Sequence, residues 1–191
     1  MKNIDSYSHV RGESVYLDDI PVVQGTLFAA VFDSPVAHGR IRSLDLSAAL
    51  ALPGVVRIFT AADIPGENQI GGIIPDEELL AGSHVHFCGM PIALVVADSD
   101  AGAREAVRLI RADIEALPVI TDPREAKEKN ELIIPPRTFR LGDVDSAWAG
   151  CAHIFEGRTD TNGQEHLYIE TQGAYALPME NDILQPLPFG N

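Results

Sequence analysis

The side chains of this sequence equipped for chemistry are six histidines, two cysteines and a few carboxylate groups close in sequence. His84 and His86 are two residues apart, so on a strand their rings share one face. Two imidazoles begin a metal site, yet no third ligand stands near them in the sequence, and the expectation is a surface or half-buried strand pair. His38 follows a turn and is expected to serve packing or hydrogen bonding. Glu165, His166 and Glu170 form a denser group, and a carboxylate beside histidine tunes a general base. Their spacing differs from the His-Glu-x-x-His of zinc proteases, and a structural role is expected. Asp18-Asp19 and Asp76-Glu77-Glu78 would bind calcium only with further converging oxygens; turn capping and a solvated loop are the expectation. Gly71-Gly72 lacks the flanking pattern of a phosphate cradle and reads as plain loop. No Gly-x-Ser-x-Gly elbow occurs. Cys88 and Cys151 have no paired spacing of the zinc or iron–sulfur kind and are expected to be reduced, mostly buried thiols. Trp148 is expected to anchor packing. No residue is assigned a catalytic, cofactor-binding or metal-ligating role.

Composition bounds the function classes. With 14 basic against 28 acidic residues the formal net charge is −14. Such a surface repels a phosphate backbone or an anionic membrane, and no long Lys/Arg cluster offsets it. The 191 residues suit one domain, or one domain and a piece of another. No window holds 18 uninterrupted apolar residues, and the first residues lack the apolar core of a secretory signal, so the cytoplasm is the expected compartment.

The elements that must position these residues follow from periodicity. Residues 1–14 read as an extended arm. Thr26–Phe32 is a continuous apolar run, expected as a strand buried on both faces. Arg40–Asp45 alternates and reads as a half-buried strand. Ser47 is expected to cap a short helix over Ala48–Leu52, ended by Pro53-Gly54. Val55–Thr60, His84–Phe87 and Ile92–Ala97 read as strands, and residues 66–83 as a long surface loop. Asp98 or Ser99 caps a helix whose apolar positions include Ala103, Ala106, Val107 and Ile110. Residues 109–115 switch to a period of two, a strand leaving that helix. Asp122-Pro123 opens a helix running to Lys129, and a second short helix covers Ser146–Ala149. His153–Thr161 and Gly173–Leu177 are strand candidates. The last nine residues carry two prolines and do not read as the strand expected after Met179; they cannot form an internal strand. Irregular alternation of strands with short helices favours an α+β (mixed α/β) fold.

Several local patterns then occur in one order: Gly12–Ile20, Ser34–Ile41, Pro53-Gly54-Val55, Asp63–Gly66, Gly89–Ala97, Glu115–Pro118, Gly142-Asp143-Val144 and Gly163–Thr171. Together they resemble the start of the molybdenum-binding subunit of the xanthine dehydrogenase/aldehyde oxidase family. The resemblance implies an α/β-hammerhead domain, a mixed sheet with a few short helices, over residues 1–130. It implies a linker and the first elements of the molybdopterin-binding region over 131–182, and an atypical tail over 183–191. The family hydroxylates purines or aldehydes with water as the oxygen source. Its cofactor is molybdopterin, and electrons pass through iron–sulfur clusters to FAD elsewhere in the complex.

The family's Gly-Gly-Gly-Phe-Gly-Gly stretch is not in this sequence, nor is the catalytic Gly-Glu pair that the family carries near its far C-terminus. The expectation is therefore an N-terminal scaffold portion, truncated or frameshifted before those residues, inactive alone and holding no cofactor itself. Its expected partners are the remaining molybdopterin-binding domain or subunit and the iron–sulfur and flavin subunits, in a possible homo-oligomer. The alternatives are a stand-alone binding or assembly module for a partner subunit and, further off, a small hydrolase using Glu165 and His166.

Overall fold

The structure is a computed structural model that describes residues 4–167, 173–178 and 184–188. The chain divides into two compact units, one of Val23–Pro136 and one of Met1–Val22 with Arg137–Asn191.

The larger unit is built on two three-stranded sheets. The first orders strands β1 (Phe28–Asp33), β5 (Pro91–Ala97) and β3 (Val55–Thr60) as β1-β5-β3. The second orders β4 (His84–Val85), β2 (Gly39–Asp45) and β6 (Arg111–Ala116) as β4-β2-β6. Every one of these pairings is antiparallel. Helix α2 (Ser47–Leu50) joins β2 to β3, and α3 (Asp100–Leu109) joins β5 to β6. Ser99 caps α3 by accepting the Gly102 amide at 3.3 Å, and Arg104 pairs with Asp100 one turn away at 2.9 Å.

β5 supplies both cores, because successive strand residues face opposite ways. Ala93 and Val95 join Ala49, Ile58, Ala106 and Ile110 in one buried cluster. Ile92 joins Ala81, Val85 and Met90 in the other. Phe32 and Leu44 pack against both clusters. The loop before β4 is anchored rather than free: Asn68 exchanges hydrogen bonds with the Leu80 backbone, and Leu80 and Ala81 are buried.

The mixed α+β architecture agrees with the sequence reading, with five local corrections, the last of them in the tail. β1 alternates half-buried and exposed residues instead of being buried throughout. It is an edge strand with one covered face, so Val31 is 48% exposed while Phe32 packs inward. Ser47 is not a cap; Leu46 holds that position, and the Ser47 amide and hydroxyl both donate to Asp45 Oδ1. The N-terminal arm contains a helix, α1 (Ile4–Arg11). Arg11 sits one turn after Tyr7, with its guanidinium 5.0 Å from the ring centre and Nη1 donating to the phenol oxygen at 2.9 Å. Gly12 ends α1 at φ +68°, and the Glu13 amide reaches back to the Ser8 carbonyl at 2.9 Å. His153–Thr161 forms no strand: alternation supplies a face, but no segment among the described residues supplies backbone partners.

The smaller unit also contains α5 (Val144–Ala149) and a hairpin of β7 (Ala174–Pro178) with β8 (Leu184–Pro188). The strand β8 corrects the reading of the tail as non-strand. Pro178, Pro186 and Pro188 all fall in alternate pairs of the register, so Tyr175–Leu187 and Leu177–Gln185 remain to exchange backbone bonds. In a two-stranded sheet both strands are edges, where proline is tolerated.

Replacing Ile92, which is 1% exposed between the two sheets, with alanine is expected to cost about 2–5 kcal/mol of unfolding free energy in urea titration. The same change at the half-exposed Val31 is expected to stay within about 0.5 kcal/mol.

Candidate functional site

The largest gathering of ring nitrogens lies on the outer face of the second sheet. Antiparallel pairing sets Gly39 opposite Val85 and Arg40 opposite His84, so the next pair outward is His38 with His86. On its other side Gly39 permits the close packing of β2 against β6: a methyl group there would stand 2.6 Å from Ile114 Cγ2. The His38 and His86 rings stack with centroids 6.2 Å apart and planes 25° apart. His86 and His84 stack at 6.4 Å and 20°. His38 Nδ1 lies 2.7 Å from the Pro118 carbonyl oxygen, which only accepts, so Nδ1 is the protonated nitrogen. Ser83 Oγ and His84 Nδ1 are 2.9 Å apart. Sequence reasoning paired His84 with His86 but missed His38, because only strand register brings it alongside. The visible signal was the alternating run after His38, which marks the start of a strand able to pair with them.

The other candidates are not brought together. The Glu165 carboxylate accepts the backbone amide of His166 at 2.9 Å instead of facing its ring. Glu170 lies outside the described residues. Asp19 accepts the Tyr16 amide at 2.9 Å, and Glu78 accepts the Gly82 amide at 3.0 Å, so each holds a turn. Among the described residues no three His, Cys, Asp or Glu side chains gather as a metal-binding group. Cys88 and Cys151 are free thiols as expected, but both are exposed. Trp148 is 57% exposed and anchors no core. Trp148 and Cys151 share one cause, since both fall in a stretch with no buried side chain at all, whereas Cys88 lies in the turn before β5.

That stretch runs from residue 127 to residue 167, where every side chain is exposed. It nevertheless carries Ile133, Phe139, Leu141 and Phe155, exposed by 97%, 87%, 82% and 91%. Its local structure is held by caps rather than by packing. Asp122 accepts the Arg124 amide at the start of α4 (Pro123–Lys129), and Asn130 ends that helix at φ +57°. Asp143 accepts the Ser146 hydroxyl and amide, at 2.6 and 3.0 Å, at the start of α5. These bonds, the hydroxyl bond foremost, hold the Asp143 carboxyl below its ordinary value of 3.8.

Two family models match the chain. Residues 11–118 match the model of the aldehyde oxidase and xanthine dehydrogenase a/b hammerhead domain, more than half of the chain. The chain belongs to the aldehyde oxidase and xanthine dehydrogenase family. Residues 124–185 of this family member match a molybdopterin cofactor-binding domain. It is 39% identical to aldehyde oxidase 1 of Bos taurus over 184 residues, which is 94% of this chain and 14% of that protein. Xanthine dehydrogenase of Dictyostelium discoideum is 36% identical over 184 residues, covering 96% of this chain and 13% of the relative. Among solved structures, CO dehydrogenase from Oligotropha carboxidovorans superposes with a TM-score of 0.58 at 36% identity, over 66% of this chain and 16% of that one. The hammerhead chain thus spans about one-seventh of the length of the curated relatives it matches.

The described residues of the molybdopterin-matching stretch do not fit the cofactor on their own. None of their side chains is buried. Among the described residues no buried polar side-chain atom is left without a partner, as the donors of an enclosing site would be. No helix among the described residues is long and apolar enough to cross a membrane.

Because its folded value is depressed, Asp143 contributes stability above the ordinary carboxylate value and loses it as pH falls through the lower folded value. Carboxyl-carbon NMR titration is expected to give Asp143 a midpoint below 3.8, and Ser146→Ala is expected to move that midpoint upward.

Proposed function

We propose that this chain is the N-terminal scaffold portion of a molybdenum hydroxylase that oxidises purines or aldehydes with water as the oxygen source. The reading divides it into a hammerhead domain over residues 1–130, a linker with the first molybdopterin-region elements over 131–182, and a tail over 183–191. One observation carries the reading. The stretch matching the molybdopterin domain holds Ile133, Phe139, Leu141 and Phe155 in water although they are large and apolar. Full burial of each would contribute about 1.5–3 kcal/mol, so the stretch is built to be covered by something. The remaining molybdopterin-binding domain or subunit is the covering partner in this reading. Iron–sulfur and flavin subunits lie further along the same complex, in the cytoplasm and in a possible homo-oligomer.

In this role no residue of the chain is catalytic, cofactor-binding or metal-ligating for the hydroxylation. The hammerhead sheets present a rigid surface, and the linker carries the chain toward the cofactor region. Molybdopterin, when bound in the whole subunit, supplies the redox chemistry. The second reading, a stand-alone assembly module for a partner subunit, rests on the same bare apolar residues. A gene whose reading frame stops after Asn191 favours it, and one that continues into a Gly-rich cofactor motif favours the first.

Purified chain is expected to carry no stoichiometric molybdenum by plasma mass spectrometry and to leave hypoxanthine unchanged. Molybdenum near one equivalent, with turnover, would overturn the scaffold reading.

A further inference from the structure

The stretch matching the molybdopterin domain carries the one Asn-Gly pair of the sequence, Asn162-Gly163. Both residues are exposed and lie outside helix and strand. Among the described residues neither makes a hydrogen bond. The charged groups beside them are engaged elsewhere: Arg158 pairs with Asp160 at 2.7 Å, and the Glu165 carboxylate accepts the His166 amide at 2.9 Å. A Cβ on Gly163 would meet nothing within 4 Å, so the space around its backbone is open. Glycine has no side chain to shield its own amide, and its backbone turns freely. The Gly163 nitrogen is therefore free to reach the side-chain carbonyl carbon of Asn162.

That approach is a reaction. The Gly163 nitrogen attacks Asn162 Cγ and forms a new C–N bond that closes a succinimide ring. The bond from Cγ to the side-chain nitrogen breaks. The proton lost by the Gly163 amide leaves with that nitrogen as ammonia. Water then opens the ring at either carbonyl. One opening gives aspartate; the other gives iso-aspartate, with the main chain rerouted through the side-chain carbons. Nothing is oxidised or reduced, and water is the only co-reactant.

The other asparagines whose surroundings are described are held against the same reaction. At Asn68 the attacking nitrogen would be that of Gln69, which donates to the Glu67 carbonyl at 2.9 Å. The Asn68 amide group itself donates to the Leu80 carbonyl at 2.7 Å and accepts the Leu80 amide at 3.2 Å. At Asn130 the attacking nitrogen would be that of Glu131, which donates to the Ala126 carbonyl at 2.9 Å. Asparagine is a heat-labile residue, and the backbone decides which copy reacts.

We propose that Asn162 is a self-modifying site, converting to aspartate or iso-aspartate in chain left uncovered and so marking a scaffold that has not met its neighbour. The marking rests on the scaffold reading; the chemistry does not. Either product sets a new carboxylate between Asp160 and Glu165, and a charge costs more to bury than a neutral amide. Iso-aspartate also lengthens the main chain within the segment to be covered.

The test holds the purified chain in mildly alkaline buffer at body temperature. Cleavage after glutamate releases residues 157–165, and fragment masses place any exchange of amide for acid on Asn162 or on Gln164. Asn162 is expected to convert at least tenfold faster than Asn68 and Asn130. Gly163→Val is expected to slow it tenfold or more with an unchanged thermal melt, because the open space there accepts a side chain. In a whole subunit in which the proposed molybdopterin-binding neighbour follows the chain, Asn162 is expected to keep its amide. An intact Asn162 in the chain alone, or equal rates at the three asparagines, overturns the site. Equal conversion in the chain and in the whole subunit overturns the marking, and with it the covering of this segment.

Discussion

The fold turns on one strand that feeds both cores, with four of its seven side chains buried and three partly buried. β5 runs between β1 and β3 and sends Ala93 and Val95 one way and Ile92 the other. Both buried clusters therefore share a backbone, and a change in β5 register would exchange the two sets of side chains. The other elements of the larger unit can be understood as covers for this strand. α3 closes one side with Ala106 and Ile110, and β4 and the loop before it close the other with Val85 and Ala81. β1 and β3 need only one apolar face each, which accounts for the exposed positions along both.

This geometry also determines which outer faces are available. The second sheet packs Val85, Ile41 and Ile114 toward the core, so the alternate residues His38, Arg40, His84 and His86 go outward together. An imidazole row in an otherwise acidic chain is thus a by-product of register between a two-residue strand and its partner. Residues 127–167 meet the opposite condition. They hold helices with sound caps yet no side chain with a core to enter, and local hydrogen bonds carry their structure. Caps define where a helix starts; they do not bury apolar surface.

Much of the larger unit was legible because its signals are local. The apolar run at Ile92–Ala97, the β-branched Val55–Thr60 and the change of period after α3 each marked a strand correctly. Asp122-Pro123 marked the start of α4 at its true position. Legibility failed where the outcome depends on a distant partner. A continuous apolar run at Thr26–Phe32 does not say whether one face or two will be covered, and here β1 became an edge. Alternation in His153–Thr161 promised a strand that found no mate. The exposure of Cys151 and Trp148 likewise reflects a missing core rather than their residue types. His38 joined the imidazole row through pairing across about fifty residues of intervening chain, which no short-range pattern encodes.

The central claim is that residues 127–167 are made to be buried by a neighbour. Amide hydrogen exchange on this chain alone and on a whole subunit in which the proposed molybdopterin-binding neighbour follows it measures this directly. The account predicts rapid, unprotected exchange around Ile133, Phe139 and Phe155 in the chain alone and strong protection in the whole subunit, with β5 protected in both. Equal exchange at those three positions in the two proteins would contradict it.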